Sequence, residues 1–299
     1  MKNNIKNDDL DDNKILIYSI SSNANDEESY HIKEYLSTKS NWVFREYNKD
    51  LIYDWVIKFP NTKINNTIIN NFFDITISSI CNKYQFHKYL NNFDFIPKTY
   101  LVNSKYDKIL ENCSEIFENG PVLLKSHKLE FSKGIKLVKN KSDLVKNIKP
   151  NNLYVIQHLI KNPKLYNNKA IDIRYYVILV YCNNGINVYL FKNGINKICE
   201  YEYDINNENS IIVNRNQDNN YLLTDPDITD IVVSIVKKSF TYLIENNKMK
   251  KNNHLKGYHL FGLDFIQDIN NKVWFLESNH GPLLNDSKLF IVTKELIKS

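Results

Sequence analysis

The chain alternates short apolar runs with polar, asparagine-rich breaks, and the spacing of the apolar positions changes along its length. Apolar runs predict strands at Ile15–Ile20, Trp42–Tyr47 and Trp55–Phe59, with an amphipathic helix over Glu27–Ser37 between the first two. These make a small α/β unit over residues 1–70, led in by residues 1–13, which are expected to be disordered. A helix around Asn82–Asn92 and a strand at Lys98–Val102, turned by Pro97, open a central stretch over 71–160. Tyr106–Glu118 is patterned as a helix and is stopped by Gly120-Pro121. Strands then dominate: Val122–His127, Ile135–Val138, Leu153–Ile160, Ile173–Tyr181, Val188–Lys192 and Lys197–Tyr203. A long helix at Asp230–Glu245, strands at His259–Asp268 and Lys272–Asn279, and a terminal helix near Lys288–Lys298 complete a third stretch over 161–299. The expected fold is α+β, with mostly antiparallel sheets in the second half.

Composition narrows the function classes. A chain of 299 residues can bury a sizeable core, and 42% hydrophobic content fits a folded protein. Lys+Arg of 39 against Asp+Glu of 34 gives +5, but the charges are interspersed, which argues against nucleic-acid binding. The N-terminal residues lack the apolar core of a secretory signal, and the longest apolar run, Val177–Tyr181, is too short to span a bilayer. Cys81, Cys113, Cys182 and Cys199 stand far apart, as expected of reduced thiols. The expected location is the cytoplasm, that of the host if the chain is viral, with no secretion and no membrane.

Four segments carry candidate chemistry. In residues 259–282, two apolar runs flank Ile269-Asn270-Asn271-Lys272, and a turn at Asn270-Asn271 would place Asp264 opposite Glu277. Facing acids lie ~5 Å apart and repel, and Asn279 shares their face. Two carboxylates and an amide oxygen suit a hard cation such as Mg²⁺; alternatively the acids pair with nearby lysines. Pro121–Val138 reads strand, polar loop, Gly134, strand, with Lys125 placed to reach a phosphate; a lone Gly also marks an ordinary turn. The strand over 153–163 turns polar at Gln157-His158, which could offer an edge to an adenine or simply end the strand. Asp172 and Arg174 alternate with Ile171 and Ile173 on one strand face, as an ion pair or an anion-holding site.

Taken in order, these segments resemble the tubulin–tyrosine ligase family of the ATP-grasp superfamily. Phe261-Gly262-Leu263-Asp264-Phe265 followed by Val273-Trp274-Phe275-Leu276-Glu277-Ser278-Asn279 is similar to its FGFDF strand and VWLIEVN strand, with the family's spacing from acid to acid. Ile171-Asp172-Ile173-Arg174 resembles its FDIR segment, and Val155-Ile156-Gln157 its VIQ segment. Leu124-Lys125-Ser126 through Gly134-Ile135 resembles its phosphate loop. Ile80-Cys81-Asn82-Lys83 and Phe95-Ile96-Pro97-Lys98-Thr99-Tyr100 resemble its upstream helix and strand entry.

The resemblance implies an ATP-grasp core preceded by the small α/β domain, and an ATP- and Mg²⁺-dependent ligase. Such an enzyme modifies a protein by joining a free amino acid to a carboxylate through an acyl phosphate, with tubulin as the usual acceptor. It implies nucleotide contacts from Lys83, Lys125, Ser126 and Gly134, and an adenine site at Gln157, His158, Leu159 and Ile160. It implies metal ligands in Asp264, Glu277 and Asn279, and substrate handling by Arg174, Asp172 and Lys192. The chain departs from the family at the bulkier loop Lys128–Lys133, at His158 and Lys192, and at Ala170. Those departures leave two other readings open: a protein-binding pseudoenzyme, and a ligase for a small-molecule carboxylate.

Overall fold

The computed structural model describes residues 16–20, 33–34, 36–46, 55–57, 68–70, 80–103, 114–127, 134–182, 185–213, 217–249 and 256–280. The expected lead-in at 1–13, most of the helix at 27–37, the start of the helix at 106–118, the loop 128–133 and the terminal helix at 288–298 lie outside these residues.

The N-terminal strands β1 (Leu16–Ile20), β2 (Trp42–Phe44), β3 (Trp55–Ile57) and β4 (Ile68–Asn70) pair in parallel, in the order β4-β3-β1-β2. Helix α1 (Lys83–Leu90) follows, and its N-cap Asn82 accepts from the Tyr84 and Gln85 amides at 3.0 and 3.2 Å. That cap occupies two of the four donors a helix start leaves free. The helix buries Phe86, His87 and Leu90.

The central stretch forms an antiparallel sheet, β5-β8-β6-β7, from β5 (Thr99–Val102), β6 (Val122–Ser126), β7 (Ile135–Val138) and β8 (Tyr154–His158). Helices α2 (Ser114–Phe117) and α3 (Lys141–Asn147) cover one face through Ile116 and Leu144, against Val122, Leu124, Val138 and Ile156. Alternation along the strands therefore turns Leu123, Lys125 and Gln157 to the other face.

The remainder is β9 (Leu165–Tyr166), β10 (Lys169–Cys182), β11 (Gly185–Leu190), β12 (Ile195–Glu202), α4 (Glu208–Ile211), β13 (Gln217–Leu223), α5 (Pro226–Glu245), β14 (Lys256–Gln267) and β15 (Val273–His280). Strand β10 is the axis: β12, β14, β11 and β9 all pair with it antiparallel. Along the edge of β14 opposite β10, β4 pairs in parallel with Lys256–Tyr258 and β15 antiparallel with Phe261–Gln267. A single eleven-stranded sheet thus crosses residue 70, joining the N-terminal strands to the C-terminal ones. Helix α5 starts with Pro226 in its first turn, where no amide proton is needed, and Asp225 caps it. Its buried stripe, Ile228, Val232, Ile235, Val236, Phe240 and Leu243, joins Tyr175, Val177, Phe261, Leu263 and Phe265 in the main core. Each such side chain contributes ~1.5–3 kcal/mol of burial. The fold is α+β with mostly antiparallel sheets, as the sequence pattern indicates.

Pleating fixes which residues escape this core. With Ile173, Tyr175 and Val177 committed to it, Asp172 and Arg174 must face the opposite side of β10. The same argument places Gly262 and Asp264 of β14 on that side.

Candidate active site

Four adjacent strands bring polar side chains to the face left free by the core. Register pairs set them directly opposite one another: Asp172 with Lys197, Arg174 with Asp264, and Asp264 with Glu277. Asn279 stands opposite Gly262, one pleat along from Glu277. The expected pairing of Asp264 with Glu277 holds, but by a different route from a two-residue turn. The loop runs from Asp268 to Lys272, with Asn271 at φ 62° and the Asp268 carboxylate accepting from the amides of Asn270 and Lys272. Near the loop Phe265 pairs with Phe275, and a bulge then skips Leu276. The bulge offsets the longer loop by one residue and returns Asp264 to Glu277.

Asp264 is the centre of the network. Arg174 donates to both its oxygens, Nε to Oδ1 at 2.6 Å and Nη2 to Oδ2 at 2.8 Å. Lys197 Nζ donates to Oδ1 at 3.0 Å, and Asn279 Nδ2 to Oδ2 at 2.9 Å. Burial alone would raise the carboxyl's pKa, yet Arg174 and Lys197 hold it well below the usual range. Burial would lower the Arg174 pKa, but Asp264 reverses that and pushes it up. Lys197 is lowered, by burial first and then by Arg174. Asp172 is raised to about 7, chiefly by burial, with Asp264 and Glu277 adding to the rise and Lys197 opposing it.

Glu277 differs. Its Oε1 accepts from Asn279 Nδ2 at 3.2 Å, while Oε2 is buried, accepts no hydrogen bond from the described residues and lies 3.8 Å from Lys83 Nζ. Helix α1 is held against β15 by Phe86 packing edge-on to Phe275, at 4.8 Å between ring centroids, which sets Lys83 beside Glu277.

Across the cleft, Lys125 is 3% exposed and its ammonium donates to Gln157 Oε1 at 2.7 Å. Its pKa is lowered, first by burial, then by Lys83, with Glu277 opposing. A buried cation whose hydrogen-bond acceptor is a neutral amide is placed to receive an anion. The cleft between the two sheets is bordered by Lys125, Gln157, Leu159, Ile160, Asp172, Asp264 and Glu277.

The other predicted residues fall as follows. His158 borders the cleft, but its ring lies against Tyr100, at 5.7 Å between centroids. Burial, then Lys98, lowers its pKa. Ser126 alternates with Lys125 and so faces away from it, accepting from Asn152 Nδ2 at 3.0 Å. Gly134 closes the entry to β7 through its carbonyl, which accepts from the Ser126 amide at 2.9 Å. Lys192 is exposed in the turn after β11, and its backbone carbonyl accepts from Thr229 Oγ1 at 3.4 Å. The lysine that donates to Asp264 is Lys197, which sequence reasoning missed. A lysine between Asn196 and Ile198 in a strand, one pleat from buried Ile195, was its one signal.

The site fits a hard divalent cation through Glu277 Oε2, a buried oxygen lacking a donor among the described residues, with Asp264 and the Asn279 amide adjoining it. It is a pair of carboxylates with an amide rather than a cage: among the described residues no three His, Cys, Asp or Glu side chains cluster as metal ligands.

Mixed α+β architecture, with a cleft between an antiparallel sheet and a larger one, defines an ATP-grasp-like protein. The chain belongs to the tubulin-tyrosine ligase family, whose sequence model matches residues 49–221 and 204–298. It is 24% identical over 235 residues to a Homo sapiens protein described as "Probable tubulin polyglutamylase TTLL2", covering 64% of this chain and 37% of that one. It is 22% identical over 236 residues to a Tetrahymena thermophila "Probable beta-tubulin polyglutamylase", covering 64% and 19%. The chain thus matches well under half the length of either relative. No helix among the described residues is long and apolar enough to cross a membrane.

Proposed function

We propose that this protein is an ATP- and Mg²⁺-dependent ligase that joins a free amino acid to a carboxylate of a protein acceptor. The observation that carries the reading is Lys125: a buried ammonium whose hydrogen-bond acceptor among the described residues is the neutral Gln157 amide, in a cleft that Glu277 also borders. Lys125 and Lys83 would bind the phosphates of ATP, while Gln157 and the Leu159–Ile160 backbone would border its adenine. Asp264, Glu277 and Asn279 would hold Mg²⁺, which neutralises phosphate charge when bound. Arg174 and Lys197 lie on the same sheet face as these ligands and would orient the acceptor carboxylate and stabilise charge developing as its acyl phosphate forms. Burial of both cations excludes water from that charge. Asp172, neutral or charged near pH 7, would tune the balance of the Arg174–Lys197 pair. The relatives' names favour tubulin as acceptor and glutamate as the amino acid added.

The experiment is mass spectrometry of tubulin incubated with the protein, ATP, Mg²⁺ and a mixture of amino acids, beside a Lys125→Met variant. A mass increase on tubulin from the unaltered protein alone is expected. No ATP binding and no added mass would overturn the reading. One observation favours a second reading, a protein-binding module without catalysis: both oxygens of Asp264 are already engaged by Arg174, Lys197 and Asn279. Tubulin binding without nucleotide binding would be its signature.

A further inference from the structure

Behind Lys125 lies a buried polar chain that the nucleotide chemistry does not itself require. Gln157 is 2% exposed and His87 1% exposed, and the two approach through Gln157 Nε2 and His87 Nε2 at 3.3 Å. Gln157 Nε2 also lies 3.5 Å from Thr99 Oγ1, whose hydroxyl donates to the Pro97 carbonyl at 2.6 Å.

The direction of every bond in this chain follows from its ends. An ammonium can only donate, so the Gln157 atom 2.7 Å from Lys125 Nζ must be the amide oxygen. The amide nitrogen therefore faces His87 and Thr99. A nitrogen that donates needs a lone pair in front of it, so His87 Nε2 must be unprotonated. The ring proton then sits on Nδ1, which is buried with no hydrogen-bond partner among the described residues. A buried donor left unsatisfied is costly, and its retention calls for a compensating role. Burial, followed by the charges of Lys125 and Lys83, keeps the ring neutral.

We propose that His87 is a positioning residue: its Nε2 lone pair anchors the Gln157 amide, so that Gln157 Oε1 holds the Lys125 ammonium in the cleft. The proposal rests on reading Lys125 as the phosphate-binding lysine. Without the anchor, the Gln157 amide can rotate and present its NH₂ group to Lys125, a donor against a donor. His87 touches neither substrate nor reacting atoms; it acts through two side chains.

Two measurements on the full chain test this. Histidine-selective ¹⁵N spectra of the unaltered protein should show His87 as the less common tautomer, protonated at Nδ1 and bare at Nε2. A ring protonated at Nε2 overturns the proposal. Calorimetry of Mg·ATP binding should show His87→Leu weakened about tenfold, ~1.4 kcal/mol, with His87→Gln, which retains an acceptor, closer to the unaltered protein. In a Gln157→Leu background, His87→Leu should have no further effect. Unchanged binding by a folded His87→Leu variant, or additive losses in the double variant, overturns the proposal. If His87→Leu fails to fold, the tautomer and the His87→Gln titration still decide it. Absence of ATP binding by the unaltered protein strikes instead at the nucleotide reading, whereas the wrong tautomer with ATP binding intact removes only the role of His87.

Discussion

Changing the two facing carboxylates to amides, one at a time, should separate a residue that holds the fold from one that waits for a ligand. Asp264→Asn removes a negative charge lying under Arg174 and Lys197, whose side chains are 13% and 7% exposed, and replaces one of two acceptor oxygens. Breaking a buried pair costs ~3–5 kcal/mol, and the oxygen retained by the amide puts this change near the lower end, about 3 kcal/mol. Glu277→Gln removes much less. Its Oε2 accepts no hydrogen bond from the described residues, and Lys83 lies 3.8 Å away, so the loss is on the order of 0.5 kcal/mol. Against a total stability of ~5–15 kcal/mol, the first change is readily seen in urea unfolding and the second barely. Mg·ATP titrations should invert the order of interest: Glu277→Gln stays folded yet binds Mg·ATP weakly. Equal destabilisation by the two changes would refute this division of labour, as would full Mg·ATP affinity in Glu277→Gln.

Asp172 titrates near 7 in the fold against an ordinary value of 3.8, so between those values the folded state holds a proton that the unfolded state has lost. Its contribution to stability is therefore complete below the lower value, falls as pH rises through the window and is gone above about 7. Asp172→Asn, which cannot titrate, should gain on the unaltered protein by up to ~1.4 kcal/mol per pH unit across that window in paired urea melts; parallel curves would refute the assignment. Gly194 allows close packing: an added Cβ would fall 2.7 Å from Thr224 Oγ1 and against the ring of fully buried Tyr175. Gly194→Ala should cost ~1–3 kcal/mol and lower Tm by roughly 2–10 °C in calorimetry, whereas an unchanged Tm would show that the ring yields.

Much of the site could be read from the chain because it lies on strands, where alternation alone decides which side chains share a face. Asp172 with Arg174, and Asp264 with Glu277, needed only period two and one assumed register. The register came out as expected although the turn did not, because the bulge at Leu276 offset the longer loop; no local pattern announces such a compensation. Lys197 was missed for a different reason. Its role depends on β12 lying beside β10, a long-range pairing that the apolar pattern of either strand does not encode. Strand β13, rich in Asn, lacks the composition of a strand and exists because β12 offers it an edge. His87 reads locally as one more residue on the buried side of a helix; only the third dimension sets it against Gln157.

The pairing of β4 with β14 has a bearing on how the molecule comes into being. Strand β14 carries Asp264, and its first residues, Lys256 to Tyr258, are flanked on one side by Ile68 to Asn70, which are made much earlier. Those early strands must wait, with one edge open, until the late strand is synthesised. Assembly of the acidic pair and completion of the large sheet are consequently parts of one late event, so a nascent chain interrupted before β14 would have neither.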